Sequence, residues 1–283
     1  MASAVVSLAS IFVFFFASLP LRLYFPQMET SLILMASVVL YTFVKSTVTH
    51  NHSQIDEFWS ILPLFFCYHL GHWTARGVLM LVLVTLWGTR LSYNFSRKGG
   101  YSGGEDYRWE YVRKTIPNPF LWHAFNFFFI STYQSLILFC ICLPIYYEPQ
   151  TDLELSDLVS AFLYLTCFFI ETVADQQQWN FQTEKYRKIR DGVKPGKNFL
   201  DTGLFRFSRH PNFFAEISIW WIFFSFTKSW NFSVVGPIML NSLFHFSTEF
   251  TEKLSLEKYP EYKEYQKTTS RLVPWFSNSK KLE

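Results

Sequence analysis

Long runs of apolar residues recur along this chain, and they constrain its fold more than any other feature. Residues 4–20 and 120–147 approach or exceed the roughly 20 apolar residues that an α-helix needs to cross a bilayer. The sequence is 50% hydrophobic and 20% aromatic, with 33 Phe and 10 Trp, which is too apolar for an ordinary soluble domain. The sequence therefore predicts an all-α protein that is embedded in a membrane.

Eight apolar runs predict the helices of this protein. Runs shorter than about 17 residues must tilt, extend through amphipathic ends or be shielded by neighbouring helices. We predict a polytopic transmembrane helical bundle of about seven or eight spans, with cytosolic loops that form a cofactor pocket in the C-terminal half. The runs cover residues 5–20, 31–44, 58–70, 78–91, 120–147, 158–174, 213–226 and 232–246.

The distribution of charge along the chain predicts its orientation. Stretches rich in Lys and Arg occur at residues 96–115, 179–209 and 253–281, and basic loops stay on the cytosolic side of a membrane. The connection 147–157 carries only acidic charges and should lie on the opposite side, with a hairpin turning at residues 228–232. We therefore expect a cytosolic C-terminus.

The last four residues resemble a targeting signal. Lys280 and Lys281 occupy the fourth and third positions from the C-terminus, as in the dilysine signal that returns membrane proteins to the endoplasmic reticulum. A Lys-rich tail also serves as a simple solvated end. The predicted cytosolic C-terminus agrees with the signal, so we expect an integral protein of the endoplasmic reticulum membrane.

The remaining composition restricts the classes of function. No internal repeat or long linker occurs, which predicts a single integral membrane domain over residues 1–283, with N-terminal helices at 5–112 and a C-terminal part at 113–283. The 4 cysteines lie within apolar runs without the spacing of a zinc site, and His69 and His72 have no carboxylate at a suitable spacing, so no metal site is expected. A net charge of +3 is too small to indicate nucleic acid binding.

Ionisable residues inside the predicted spans locate a candidate site, because each costs several kcal/mol, on the order of 3, when it faces lipid. One group is spaced i, i+4, i+7, i+11, which places its side chains on one face of a helix. These groups can receive ribose hydroxyls or an amide, or form a polar seam between helices, and the spacing favours neither. The group consists of Glu171, Asp175, Gln178 and Gln182.

A second group precedes a Gly-rich segment. Arg90, Asn94 and Arg97 are spaced i, i+4, i+7, and Gly99 and Gly100 follow shortly after them. Guanidinium donors beside glycine backbone suit a phosphate, whereas an arginine at a membrane boundary often extends toward lipid headgroups. Arg, Gly and acidic residues are frequent in the segment that follows Arg97, which favours a phosphate-binding site over a contact with lipid headgroups.

The densest polar segment covers residues 201–216. A basic group immediately precedes Pro211, which is suited to the first turn of a helix. Basic side chains beside a helix N-terminus favour an anion, either a cofactor phosphate or a lipid headgroup. The segment contributes Arg206, Arg209, His210, Asn212 and Glu216, and His245, Glu249 and Glu252 repeat the i, i+4, i+7 spacing further along.

Four separated motifs carry a family resemblance. RLSYNFSRKGGYSGGEDYRW, ETVADQQ, GLFRFSRHPNFFAE and YPEYKEYQKTTSRLVPWF occur in this order, and together they are similar to the uncharacterised membrane branch of the steroid 5-alpha-reductase-like superfamily. The similarity runs over residues 54–276. It implies that residues 113–283 bind NADPH and that the protein reduces a carbon–carbon double bond in a sterol-like, fatty or isoprenoid substrate within the membrane.

The resemblance also implies roles for individual residues. Asp175, Asn212 and Glu216 would contact the nicotinamide ribose or carboxamide, and a basic group before Pro211 would hold phosphates or the adenosine end. Glu252 matches an acidic position of the sterol reductases. The implied cofactor-binding set is Arg90, Arg97, Glu171, Asp175, Gln178, Arg206, Arg209, His210, Asn212, Glu216 and Glu252.

Two positions depart from the steroid-reducing relatives. Those enzymes polarise a ketone with a tyrosine and a glutamate, where this chain has Trp87 and, near the second, Ile61. An indole has no proton that titrates near neutral pH and cannot replace a phenol as an acid. The catalytic residues are left unassigned, and the possible proton donors, among which the sequence does not select, are Asp56, Glu57, Tyr93 and Glu105.

Two other functions remain open. The Arg-His-Pro sequence at residues 209–211 is similar to the S-adenosylmethionine-binding motif of membrane methyltransferases of the isoprenylcysteine or phospholipid type, although the upstream motifs fit the reductases better. A non-catalytic lipid-binding scaffold is the third reading, and the absence of the tyrosine favours it. The expected partners are a lipophilic small-molecule substrate and membrane lipids.

Overall fold

The structure is a computed structural model that describes residues 2–276. Every regular element in this part of the chain is helical, as the apolar runs predict. The Lys280-Lys281 motif lies outside the described residues.

The helices follow one another with short connections, several of which contain a single turn of 3₁₀-helix. A π-helical segment, Asn126–Tyr133, joins α6 to α7. The α-helices are α1 (Ala2–Ser18), α2 (Gln27–Thr49), α3 (Leu62–Leu70), α4 (Ala75–Arg97), α5 (Tyr107–Thr115), α6 (Pro119–Phe125), α7 (Gln134–Cys140), α8 (Leu155–Arg190), α9 (Pro211–Ser225), α10 (Val235–Lys258) and α11 (Tyr262–Thr268).

Four helical stretches in the described residues are long and apolar enough to cross a membrane. They are Gln27–Thr49, Ala75–Arg97, Pro119–Ile145 and Leu155–Arg190, and Ala9–Leu23 is a shorter apolar helix. The prediction of an all-helical fold is therefore confirmed, and these apolar helices fit an integral membrane protein. The larger number of seven or eight spans stays a prediction, because α3 and α9 are helical but only 9 and 15 residues long.

Local sequence signals set where several helices begin. The Thr74 side chain accepts a hydrogen bond from the backbone N–H of Gly77 and caps α4, and Asp106 caps α5 in the same way through Arg108. Asn118 caps α6 and is followed by Pro119, whose fixed φ suits the first helical position. These caps satisfy backbone donors that have no partner within the helix.

The chain forms two compact units. The first unit consists of Met1–Asp157 with Phe224–Gly236, and the second consists of Leu158–Phe223 with Pro237–Glu283. Large side chains that are at most 1% exposed fill each unit: Phe58, Phe66, Trp87 and Phe226 in the first, and Tyr164, Ile219, Trp220 and Phe223 in the second.

Candidate functional site

A buried polar cluster lies on α8 and α9 of the second unit. The Asn212 side-chain amide donates a hydrogen bond to Asp175 Oδ1 at 3.3 Å. Glu171 lies one turn before Asp175 on α8, and Glu216 lies one turn after Asn212 on α9; both carboxylates are buried, at 4% and 5% exposed. We call Glu171, Asp175, Asn212 and Glu216 the acidic cluster.

Hydrogen-bond donors come to this cluster from its own helices. The Trp220 indole N–H donates to Glu216 Oε1 at 2.9 Å, from one turn further along α9. An ionised carboxylate offers only acceptor oxygens, so it binds hydroxyl and amide N–H groups and repels anions. The acidic cluster is therefore suited to a ligand that carries hydroxyl or carboxamide groups.

The polar face of α8 continues beyond the acidic cluster. Gln178 and Gln182 are half-buried, and the adjacent Gln177, which lies off the predicted stripe, accepts a hydrogen bond from the backbone N–H of Leu204 at 2.9 Å. Gly203 has φ 63 at this contact, a conformation that favours glycine. Sequence spacing alone could not single out Gln177, because its partner is a backbone group 27 residues away.

Arg209 is held by groups of its own unit. Its Nε and Nη2 donate to the two oxygens of Glu252 at 2.7 and 3.0 Å. Its Nη1 donates to the backbone carbonyls of Gln266, at 3.0 Å, and of Thr269. The guanidinium thus makes four hydrogen bonds to three residues, and a phosphate would have to replace some of these bonds.

Glu252 is the centre of this network. It also accepts hydrogen bonds from His210 Nε2 at 2.9 Å and from the Gln266 amide at 2.7 Å. Burial alone would raise the pKa of Glu252, but the hydrogen bonds from His210 and Arg209 outweigh burial and lower its pKa to about 2. We call Arg209, His210, Glu252 and Gln266 the Glu252 network.

The sequence missed two members of this environment. Gln266 and the carbonyl of Thr269 belong to α11 and the residue after it, and no helical spacing relates them to Arg209. Both residues occur in the last of the four family motifs, at residues 259–276, and this motif was the feature of the sequence that could have indicated them. Arg206, in contrast, is exposed.

The other predicted basic group lies in the first unit. Arg90 and Arg97 are half-buried on the last turns of α4, and the Arg97 guanidinium lies 5.5 Å from the centre of the Tyr93 ring. Gly99 and Gly103 adopt φ 80 and 83, a backbone conformation that favours glycine in the loop after α4.

The loop after α4 leads to Glu105, which belongs to a second hydrogen-bonded network in the first unit. His52 is 3% exposed and accepts a hydrogen bond from the Trp122 indole N–H at its Nε2, at 3.0 Å. In the neutral ring the Nδ1 then carries the proton and donates to Glu105 Oε1 at 3.0 Å. Arg113 Nη2 donates to the same oxygen at 2.8 Å and lies 2.9 Å from Nδ1. Burial lowers the pKa of His52, with the cation of Arg113 adding to this effect against the opposing hydrogen bond to Glu105.

The structure distinguishes the possible proton donors by their partners. Glu57 pairs with Lys45 at 3.0 Å, Glu105 is held as described, and Tyr93 is 65% exposed. Burial raises the pKa of Asp56 to about 6, against the opposing charge of Arg108. Trp87, at the position of the relatives' tyrosine, is fully buried.

The two histidines at i, i+3 are each hydrogen-bonded within the first unit. His69 Nε2 lies 2.8 Å from Ser18 Oγ, and His72 Nε2 lies 3.3 Å from the carbonyl oxygen of Tyr146. Within residues 2–276 we find no group of three or more His, Cys, Asp or Glu side chains that could hold a metal ion.

These features define an all-helical protein whose apolar helices fit a membrane and which contains buried acidic and basic networks. Residues 42–269 match the family described as "protein of unknown function (DUF1295)", and the chain belongs to this family. An uncharacterised protein of Schizosaccharomyces pombe (strain 972 / ATCC 24843) is 38% identical over 261 residues, which cover 83% of this chain and 76% of the relative. No solved structure matches the chain. The family match includes the acidic cluster and the Glu252 network.

Proposed function

We propose that this protein catalyses the NADPH-dependent reduction of a carbon–carbon double bond in a lipophilic substrate, such as a sterol-like, fatty or isoprenoid lipid. The observation that carries the proposal is the acidic cluster, in which Asp175 and Asn212 are in contact and Glu171 and Glu216 are buried on the same two helices. Ionisable side chains buried in membrane helices are costly and mark functional sites. The four motifs that resemble the steroid 5-alpha-reductase-like superfamily include all of these residues.

The acidic cluster suits the sugar and carboxamide end of a nicotinamide nucleotide. Asp175 and Glu216 would accept hydrogen bonds from ribose hydroxyls or the carboxamide N–H, and Asn212 provides both an amide donor and an acceptor. Bound NADPH supplies the hydride. The chain's own residues would orient the nicotinamide and keep water away from it, because the surrounding positions on α9 are apolar.

The phosphates of NADPH would require cationic hydrogen-bond donors near α9. Arg206 is exposed and not engaged by the Glu252 network, so it is the first candidate in the second unit. Arg209 would act mainly by holding the turn before α9, because four of its hydrogen bonds already go to protein groups. His210 immediately precedes α9, at the N-terminus where partial positive charge favours an anion.

The same proposal includes a location and a topology. We propose about seven or eight spans in the endoplasmic reticulum membrane, with the basic stretches and the C-terminus in the cytosol. Mapping of glycosylation acceptors inserted at residues 150 and 195 tests this arrangement. Modification at residue 150 alone supports it, and modification at residue 195 contradicts it.

A non-catalytic lipid-binding protein is the second candidate. It is favoured by the buried indole of Trp87, which stands where the steroid-reducing relatives have a tyrosine that acts as an acid. It is also favoured by Arg209, whose guanidinium is already hydrogen-bonded to Glu252. A membrane methyltransferase that uses S-adenosylmethionine is the third reading, from the Arg-His-Pro sequence.

Ligand-dependent thermal stability of the detergent-purified protein separates these functions. A ligand at about 100 times its dissociation constant adds about 2.7 kcal/mol of apparent stability. We expect stabilisation by NADPH and none by S-adenosylmethionine. Stabilisation by S-adenosylmethionine alone would identify a methyltransferase, and no response to either ligand would favour the lipid-binding protein.

Matched variants then test the acidic cluster. Asp175→Asn removes a buried charge at almost constant shape, and Asp191→Asn makes the same change at the solvated end of α8, where the side chain is 49% exposed. We expect Asp175→Asn to abolish the NADPH response and Asp191→Asn to retain it. An unchanged response in Asp175→Asn would exclude this site.

A further inference from the structure

The C-terminal segment of the second unit is hydrogen-bonded to the turn that precedes α9. The backbone N–H of Arg209 donates to the carbonyl of Ser270 at 2.8 Å, and the N–H of Trp275 donates to the carbonyl of Phe207 at 2.9 Å. Between these two contacts, the N–H of His210 donates to the carbonyl of Arg271 at 3.1 Å. We call residues 270–276 the C-terminal strap.

The strap exposes large apolar side chains. Val273, Trp275 and Phe276 are 60%, 71% and 81% exposed, and the ring of Phe276 lies 6.2 Å from that of Phe207. Apolar side chains that are exposed together mark a surface that binds something apolar. The strap itself is held by backbone hydrogen bonds and does not need these side chains to pack inward.

The position of the strap along the helices points to a membrane surface. Its partners, residues 207–210, come directly before Pro211, where the apolar sequence of α9 begins. On α10, His245 Nδ1 lies 2.7 Å from Arg271 Nη2 of the strap, and the next residue, Phe246, is 67% exposed. The strap therefore contacts α10 next to a position whose aromatic side chain is exposed.

Cationic side chains accompany the exposed aromatic ones. Arg206 is exposed and directly precedes Phe207, and Arg271 belongs to the strap itself, where it pairs with Glu249 at 3.0 Å. Aromatic rings at the level of lipid headgroups, with Arg and Lys beside them, are typical of the boundary between membrane and water. A water-soluble partner would not require the surface to lie where an apolar helix begins.

We propose that the C-terminal strap lies in the headgroup layer of the bilayer, with Trp275 and Phe276 inserted among anionic phospholipids, and that this anchor stabilises the turn at residues 207–210. The lipid surface thereby reaches Arg209 and His210 through backbone hydrogen bonds. The inference is independent of the reaction proposed above, because it concerns the position of the strap and not a ligand of the acidic cluster.

Fluorescence quenching in nanodiscs tests the depth of the strap. The difference in emission between the protein and its Trp275→Tyr variant isolates Trp275, and brominated phospholipids carry the quencher either near the headgroups or near the chain ends. We expect stronger quenching of this difference by bromine near the headgroups. No quenching by either lipid, or stronger quenching near the chain ends, would overturn the proposal.

Hydrogen exchange of the backbone N–H groups of Arg209 and His210 tests the link to the turn. In the unaltered protein we expect slower exchange in nanodiscs with anionic lipid than in neutral ones, and Phe276→Ser should remove this difference. Removal of one Phe side chain that is inserted into lipid corresponds to a change of about tenfold or more in the exchange rate. Tyr186→Ser, which changes an aromatic side chain that is 64% exposed on α8, is the control and should leave the difference intact. Exchange that is independent of lipid charge in the unaltered protein, or a difference that persists in Phe276→Ser, would exclude the anchor.

Discussion

Arg76 and Asp157 form a fully buried ion pair with two parallel hydrogen bonds in the first unit. Arg76 Nε lies 3.0 Å from Asp157 Oδ1, and Nη2 lies 2.9 Å from Oδ2. Arg76 Nη1 also donates to the carbonyl of Pro149 and to Thr151 Oγ1, and Lys228 Nζ lies 2.6 Å from Asp157. The acidic connection between α7 and α8 thus folds around a cation that comes from the start of α4.

Replacement of Arg76 by methionine should strongly destabilise the protein. Removal of one partner leaves Asp157 buried without its main counter-ion, and breaking a buried pair costs about 3 to 5 kcal/mol. The free energy of unfolding in mixed detergent micelles measures this loss. Arg190→Met, at the exposed end of α8, is the control and should change stability by less than about 0.5 kcal/mol. Equal losses in the two variants would mean that the pair does not stabilise the fold.

Glu252 should make stability depend on pH in the acid range. Its pKa in the folded protein is about 2, below the ordinary value of 4.5, so its contribution is present above pH 4.5 and is lost as the pH falls through about 2. A difference of this size corresponds to about 3 kcal/mol for a buried group. Glu252→Gln should therefore lower stability at pH 7 and flatten its decrease between pH 5 and pH 2, as measured by thermal unfolding over this range.

The next acidic residue on the same face of α10 is the control for this measurement. Glu249 is 53% exposed and pairs with Arg271 at 3.0 Å near solvent. Exposed pairs contribute little, about 0 to 1 kcal/mol, so Glu249→Gln should leave the pH profile almost unchanged. A profile that Glu252→Gln does not alter would show that Arg209 and His210 do not hold this carboxylate.

The fold was predictable to the extent that burial in lipid controls it. An apolar run must satisfy its backbone hydrogen bonds internally, so each of the eight runs contains helix in the structure. The number of helices that span the membrane did not follow from the apolar runs in the same way. Helix α3 begins at Leu62 although the apolar run begins at Phe58, because Asp56 to Ile61 form hydrogen-bonded turns.

The candidate site was predictable where its members share one helix. Asp175 and Glu171 followed from their spacing on α8, and the structure places Asn212 of α9 against Asp175. The partners of Arg209 could not be predicted from helical spacing. Its sequence context indicated an anion site, but its charge is matched by Glu252, 43 residues away, and no local pattern encodes that pairing.

Protonation of His52 should destabilise the first unit in mildly acidic solution. Neutral His52 accepts from the Trp122 indole N–H, whereas the protonated ring has no acceptor and faces the Arg113 cation. Burial lowers its pKa below the ordinary 6.5, so the unfolded chain binds the proton first and stability falls as the pH decreases below about 6.5. His52→Asn should remove this part of the decrease in thermal stability between pH 7.5 and pH 5.5.

His50 provides a matched control two residues away. It is exposed, and its φ of 54 suits asparagine, so His50→Asn should keep the pH dependence of the unaltered protein. If His52→Asn and the unaltered protein lose stability in parallel over this range, other groups cause the decrease.

A side chain at Gly203 should destabilise the protein for two separate reasons. Its φ is 63, and a Cβ atom would lie 2.5 Å from Gln177 Oε1, the atom that accepts the Leu204 N–H. Gly192 has φ 73 and nothing within 4 Å of the Cβ position, so Gly192→Ala measures the conformational cost alone, about 1 kcal/mol. We expect Gly203→Ala to lower the free energy of unfolding by about 1 kcal/mol more, since it also displaces a partly buried hydrogen bond. Faster exchange of the Leu204 amide in Gly203→Ala alone would locate the difference at Gln177, and equal effects of the two variants would show that the contact between α8 and this turn is not tight.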